Sequence, residues 1–425
     1  HTQADPGSGC PLTMTFASVP AIKQQPNIAK DWLPKILSNE YDERNVPYFE
    51  KAGVTIGMAM TEKQGGSDVR ANTTHATPVT TAGVGQEYQI TGHKWFCSAP
   101  MCDAFLVLAQ TDQGLSCFLL PRWRPDGNKN AMFIQRLKNK MGNVSNASSE
   151  VEFRSALAWM IGEPGRGVRT ILEMVAMTRY DCMIGSASIM GLATAQAIHH
   201  TGGREAFGKP LHDQPLMQNV LADLAIESEA ALAISLRLSK ALENINDPHE
   251  KNLFRLGTAL GKYWICKRAA QHTAEAMECI GGVAVVEDNV LARLYRESPV
   301  NAIWEGSGNI QCLDVARAML KEPEIIKSFY KELEPAAGQY AAFDIALTNL
   351  KQQLTPAGKI NESQLRQLTE RMAKLWQAAT LIQFSINAVA EAFCNNRLQN
   401  NGLMFGCLDE NIDFSAIIQR AKPQV

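Results

Sequence analysis

The chain has 425 residues, 45% hydrophobic and 20% charged, enough to bury sizeable cores and, at its length, to hold about two to four domains. Its 41 basic and 43 acidic side chains nearly cancel, so no global field draws it to nucleic acid or an anionic membrane, and any anion site must be local. The 10 cysteines form no CxxC pair, which fits reduced thiols in a cytoplasm and gives no zinc framework, and no apolar run is long enough to span a bilayer.

In chain order, residues 1–11 lack an initiator Met and the residues that follow read like the middle of a domain, so an upstream segment is expected; residues 20–41 read as remaining helices of a partial N-terminal α-domain. From 54 to 153, short apolar stretches such as GVTIGMAM, YQITGHKWFC, AFLVLAQ and LSCFLLP, punctuated by Gly, Pro, Asn and Asp, predict a β-rich domain. After Gly165-Arg166-Gly167 the apolar residues fall at helical spacing through VRTILEMVAMTRYDC, QPLMQNVLADLAIESEA and LFRLGTALGKYWICKRAA, which predicts long packed helices. Asn246-Asp247-Pro248 separates the second from the third. A further helical region follows Ile310, with loops near Thr355-Pro356-Ala357-Gly358 and around 395–406. The predicted class is α+β, divided as 1–52, 53–160 (β), 161–320 (helical bundle) and 321–425 (helical extension).

Four segments could carry chemistry. Met60-Thr61-Glu62-Lys63-Gln64-Gly65-Gly66-Ser67-Asp68 places paired glycines between hydroxyl and acidic groups; glycines permit close backbone approach to a ligand, and Thr61 and Ser67 offer hydroxyls. A plain Gly-Gly turn with Asp68 capping the next segment is the simpler alternative. Gly92-His93-Lys94-Trp95-Phe96-Cys97-Ser98 could flank a flat cofactor with an aromatic ring, or be an ordinary core strand. Trp304-Glu305-Gly306-Ser307-Gly308-Asn309 sets a carboxylate beside aromatic and glycine residues; held in a dry pocket it becomes a general base, and otherwise it is a surface Glu with Ser307 capping a helix over 310–320. Arg204-Glu205-Ala206-Phe207-Gly208 with Gln214 could clamp a pyrophosphate, or be a helix end with a Gly stop. His199, His200 and His272 have no clustered ligand types beside them, so no metal site is expected.

Taken together, these segments resemble the acyl-CoA dehydrogenase superfamily over nearly the whole chain. Ala59-Met60-Thr61-Glu62, then Gly65-Gly66-Ser67-Asp68 and Ala71 reproduce its first signature, and Arg204 to Leu211, Gly281-Gly282 and Trp304-Glu305-Gly306-Ser307 match its C-terminal half. MTEKQGGSDV, GHKWF, NVSNASSEVEF and PVNAIWEGSGNIQCLDV point to its AidB-like, alkylation-response subgroup. The resemblance implies a cytoplasmic homotetramer holding FAD between a β-barrel-like middle domain and a helical bundle. It places Met60, Thr61, Ser67, Phe96 and Ser98 on the flavin, and Arg204, Phe207 and Gln214 at the adenine-diphosphate end of a neighbouring subunit's cofactor. Gly281, Gly282, Ser307 and Asn309 would complete that cradle. Glu305 would be the base, with Arg179 and Gly306 on an acyl-CoA-like substrate.

The implied activity is α,β-dehydrogenation of an acyl thioester, with hydride passing to flavin N5. Ala176 stands where many members carry an acidic residue that helps hold CoA. The alternative is a DNA-binding flavoprotein of the alkylation stress response with weak or vestigial dehydrogenase activity. Double-stranded DNA would then meet the C-terminal cations, among them Lys321, Lys327, Lys374, Arg397 and Arg420, which a comparable number of carboxylates balances.

Overall fold

A computed structural model describes residues 1–354, 361–399, 402 and 404–423, so the loop expected at Thr355-Pro356-Ala357-Gly358 and part of the one at 395–406 lie outside the described residues. The chain divides into two compact units, His1–Asp181 and Cys182–Val425.

The first unit begins with α1 (Gly9–Ala17), α2 (Val19–Lys23) and α3 (Pro26–Ile36). Proline at the first or second position starts α2 and α3, where its missing N–H costs no helix bond. Trp32 is buried in α3 and stacks on Tyr48 with ring centroids 4.2 Å apart. Seven strands follow: β1 (Ile56–Ala59), β2 (His75–Pro78), β3 (Glu87–Ser98), β4 (Ala104–Thr111), β5 (Gly114–Pro121), β6 (Met132–Leu137) and β7 (Ser148–Ile161). β4 pairs with β5, β5 with β7, β7 with β3, β3 with β2, and β2 returns to β4 through His75 and Gln110, closing a barrel. β1 joins β4 in parallel and β6 joins β7 antiparallel. The near-continuous burial of β4 and β5 explains why both read as unbroken apolar runs. The Thr15 hydroxyl on α1 accepts from the Ile56 N–H at 3.2 Å, tying a helix to the first strand.

α4 (Gly167–Thr170) leads into α5 (Leu172–Gly203), which crosses the unit boundary. The second unit continues with a two-residue hairpin, β8 (Glu205–Ala206) and β9 (Lys209–Pro210). It then runs through α6 (Pro215–Glu243), α7 (Pro248–Ile280), α8 (Val290–Ile303), α9 (Gly308–Lys321), α10 (Glu324–Leu333), α11 (Ala341–Gln353), α12 (Leu365–Phe384), α13 (Asn387–Arg397) and α14 (Phe414–Ala421). The separator before α7 works as its chemistry dictates: the Asp247 carboxylate accepts from the N–H groups of His249 (2.8 Å) and Glu250 (3.1 Å), with Pro248 at the first helical position. The architecture is the expected α+β one, with a helical N-terminal part, a middle β-barrel and a C-terminal helical domain. No described helix is long and apolar enough to cross a membrane.

Candidate functional site

In the first unit, β1 delivers the chain into the loop that starts at Met60. Glu62 and Gly65 exchange backbone hydrogen bonds of 3.1 Å each, closing a tight turn. A Cβ on Gly65 would lie 2.6 Å from Asn72 Oδ1 and 3.0 Å from the Asp68 carbonyl oxygen, so this position needs glycine. Inside the turn the Glu62 side chain is fully buried. It accepts from Lys94 Nζ (2.8 Å), the N–H groups of Thr73 (2.7 Å) and Thr74 (3.2 Å) and Gln64 Nε2 (2.8 Å). The Lys94 ammonium, equally buried, also donates to the carbonyls of Leu108 (2.8 Å) and Met60 (3.3 Å). Burial pushes the Glu62 carboxyl up, but the Lys94 charge and the hydrogen bonds outweigh it and hold the group down to about 2. Burial lowers Lys94 to about 8 against the pull of Glu62. The ion pair thus fixes the loop from beneath, while Thr61 stays half-buried and Ser67 exposed. Asp68 also caps, as the simpler reading expected, accepting from Arg70 N–H at 3.2 Å.

The loop is stitched to β3 by the Trp95 N–H, which donates to the Thr61 carbonyl at 2.8 Å. Between Lys94 and Cys97 the pairing of β3 with β7 slips by one residue. This bulge breaks the in-out alternation: Lys94 and Cys97 are buried, whereas Trp95 and Phe96 between them are not, and Phe96 is 44% exposed. The Lys138 ammonium lies 3.6 Å from the Trp95 ring centroid and 4.4 Å from that of Phe96, and it pairs with Glu150 at 2.8 Å. Ser98 closes the strand, its Oγ 3.3 Å from Ser148 Oγ. Arg179 is half-buried on α5.

In the second unit, Arg204, Phe207 and Gln214 fall on one small structure. α5 ends at Gly203, the Leu211 N–H donates to the Arg204 carbonyl (2.8 Å), and Gln214 Nε2 donates to the Ala206 carbonyl (3.0 Å). Phe207 (φ 53°) and Gly208 (φ 81°) form the turn, a left-handed pair that suits a two-residue hairpin, and Phe207 is 96% exposed. Gly281 ends α7 at φ 84°, and a Cβ on it or on Gly282 would meet nothing within 4 Å, so both leave open space beside the backbone.

Glu305 and Gly306 lie at the centre of the four-residue link between α8 and α9, flanked by the caps Trp304 and Ser307, and both are left-handed, at φ 55° and 94°. A left-handed glutamate is uncommon and costs energy that its surroundings must supply. Gln311 Nε2 donates to the carbonyls of Gly306 (2.8 Å) and Glu305 (3.2 Å), and Lys262 Nζ donates to those of Gly306 and Asn301 (3.0 Å each). Glu305 is half-buried. Ser307 occupies the N-cap of α9, which begins at Gly308 and not at Ile310, yet its hydroxyl makes no capping hydrogen bond; Asn309 is exposed.

Reasoning from sequence singled out the loops but missed what holds them: Glu62, Lys94, Lys262 and Gln311. The available signal was a lysine at a position that should be apolar. Lys94 falls on the inward set of β3, and Lys262 lies on the buried stripe of α7 between Thr258 and Cys266. His272 sits in the core with Nε2 2.8 Å from Thr194 Oγ1, and burial pushes it down to about 3. Among the C-terminal cations, Arg397 is half-buried and pairs with the buried carboxylates of Asp223 and Glu227, and Lys327, Lys374 and Arg420 pair with Glu324, Glu370 and Glu229.

Residues 57–156 match the acyl-CoA dehydrogenase middle domain, residues 165–320 its C-terminal domain, and residues 1–43 the N-terminal domain of the adaptive response protein AidB. The chain is 45% identical to AidB of Escherichia coli over 95% of its own length and 73% of that protein's. The crystal structure of Caenorhabditis elegans ACDH-11 in complex with C11-CoA aligns at a TM-score of 0.82 and 27% identity, covering 92% of this chain and 72% of that one. The acyl-CoA dehydrogenase of Bacillus anthracis, complexed with FAD, shares the fold at a TM-score of 0.72 and 17% identity over 96% of this chain and 77% of that one.

Proposed function

The chain belongs to the acyl-CoA dehydrogenase superfamily and carries an AidB-type N-terminal domain, and from that premise we propose that it is an FAD-dependent oxidoreductase acting on an acyl thioester. The observation that carries the reading is the left-handed Glu305-Gly306 link, a strained carboxylate-bearing turn held by two buried donors. The residues present also fit a flavin. Phe96 stands outward on a bulge beside the Thr61 loop, Gly281 and Gly282 leave room for close approach, and the Ser307 hydroxyl is not used in capping.

Met60, Thr61, Ser67, Phe96 and Ser98 would hold the isoalloxazine and pyrophosphate; Gly281, Gly282, Ser307 and Asn309 would hold the remainder. Arg204, Phe207 and Gln214 would serve the cofactor of a neighbouring copy in a homotetramer, which is why Phe207 can stand exposed on its hairpin. FAD, when bound, supplies the two-electron acceptor for hydride leaving the β-carbon. Glu305 takes the α-proton onto a carboxylate oxygen as that C–H bond breaks, the electrons left behind form the α,β double bond, and the β C–H pair departs as hydride. The Glu305 N–H would hold the thioester carbonyl, and Arg179 and Gly306 would position the substrate. Reconstitution with FAD tests the cofactor: a yellow protein with a flavin absorbance spectrum is expected, and a colourless one contradicts the reading.

The 45% identity to AidB favours a second reading, a cytoplasmic DNA-binding flavoprotein of the alkylation stress response with weak or vestigial dehydrogenase activity. It needs a basic face built from cations other than Arg397, which is half-buried and paired with two buried carboxylates. A salt-dependent gel shift of duplex DNA at physiological ionic strength would support it, and no shift even at low salt would remove it.

A further inference from the structure

Lys262 is 1% exposed in the middle of α7, and among the described residues its ammonium makes no salt bridge. Burying a charge without a counter-charge is costly, and an apolar side chain of similar volume would stabilise a core position better. Both of its acceptors are backbone carbonyls. One belongs to Asn301 in the last turn of α8, where the unsatisfied carbonyls carry partial negative charge; the other belongs to Gly306. Gln311, also 1% exposed, reaches back from α9 to the carbonyls of Glu305 and Gly306, and its own Oε1 is left buried with no partner among the described residues. Three unfavourable features therefore converge on two residues: a buried ammonium, an orphaned amide oxygen and a left-handed glutamate. A turn that served only to join α8 to α9 would need none of them.

We propose that Lys262 and Gln311 are positioning residues, a clamp that holds the Glu305-Gly306 backbone left-handed and so fixes where the Glu305 carboxylate points. The inference rests on Glu305 being the base. Gln311 gathers both carbonyls of the link, while Lys262 ties the second of them to the end of α8. Neither touches the reacting atoms through this contact; each acts by limiting the directions open to the side chain that does. A base misplaced by about an ångström can lose on the order of a hundredfold in rate.

The test uses the FAD-loaded protein carrying Lys262→Met or Gln311→Ala, the second deciding the matter if the first fails to fold. Hydrogen exchange is followed on peptides covering residues 304–311, where the Gln311 N–H donates to the Ser307 carbonyl. Exchange there should rise by about tenfold or more while the rest of α7 keeps its protection. Unchanged exchange at the turn, or a uniform rise across the helices, overturns the clamp. With straight and branched acyl-CoAs of short to medium chain, kcat should fall about tenfold to a hundredfold at nearly constant KM. Adding Lys262→Met to Glu305→Gln should cost nothing further, because the clamp acts through a carboxylate already removed. A fully additive loss contradicts the proposal. If no acyl-CoA reduces the unmodified protein, the reading of Glu305 as base fails, and the exchange experiment still decides whether the clamp exists.

Discussion

Two loops of similar sequence character, the one beginning at Thr61 and the one centred on Glu305, are held by opposite electrostatic means. Beneath the first, a buried lysine meets a buried carboxylate, and the pair is saturated with hydrogen bonds. Beneath the second, a buried lysine meets, among the described residues, only backbone carbonyls. The first arrangement makes a neutral, rigid platform whose own glutamate is consumed by structure. The second fixes the backbone of a glutamate by donors aimed at its peptide groups. Two glutamates in conspicuous glycine-bearing motifs therefore have different roles, and the distinction lies in where the nearest buried lysine points.

The largest expected effect breaks the first arrangement. Lys94→Met leaves Glu62 buried without its partner and should cost about 3–5 kcal/mol, read from urea unfolding, with part recovered when Glu62→Gln is added. Lys262→Met should cost less, since no buried carboxylate is abandoned. Equal costs would erase the distinction between the two lysines.

Acid titration sharpens the comparison with smaller effects. His272, fully buried and lowered from its ordinary 6.5 to about 3, stays neutral in the fold while the unfolded chain takes up a proton; its contribution is therefore lost as pH falls from about 6.5 toward 3. Glu62, lowered from 4.5 to about 2, gives a contribution fully present above 4.5 and lost as pH falls through about 2. The second unit should accordingly weaken first. His272→Gln should flatten the urea midpoint between about pH 6.5 and 4.5, Glu62→Gln should flatten it below 4.5, and each group can contribute up to about 1.4 kcal/mol per pH unit. A midpoint insensitive to both variants would contradict the assignment.

The smallest effect concerns two helix starts. Asp247→Ala removes real capping bonds from α7 and should cost about 1 kcal/mol. Ser307→Ala removes none and should change stability by under about 0.5 kcal/mol while weakening FAD binding, measured by flavin fluorescence titration. A Ser307→Ala variant that loses stability and keeps FAD would return that hydroxyl to a structural role.

Much of this architecture was legible because its signals are local. The alternation through YQITGHKWFC, the helical spacing after Gly167 and the Asp247-Pro248 start each act within a few residues. The site was legible only as loops. Glu62 meets Lys94 across 32 positions, and Lys262 meets Gly306 across 44, distances over which no periodicity speaks. The bulge that leaves Trp95 and Phe96 outside together depends on slippage against β7, which the sequence of β3 alone does not contain. Arg397 reads as a surface cation in a balanced tail, and only tertiary packing shows it half-buried and paired with Asp223 and Glu227. Local reading finds where a chain turns; the charges that hold the turn arrive from elsewhere.

Anaerobic titration of the FAD-loaded protein with a panel of acyl-CoAs, alongside Glu305→Gln, tests the proposed chemistry most directly. At least one thioester should bleach the flavin of the unmodified protein, and the variant should remain yellow and oxidised with the same thioester. Flavin that no thioester bleaches, or that bleaches equally in the variant, would contradict Glu305 as the base of an acyl thioester dehydrogenase.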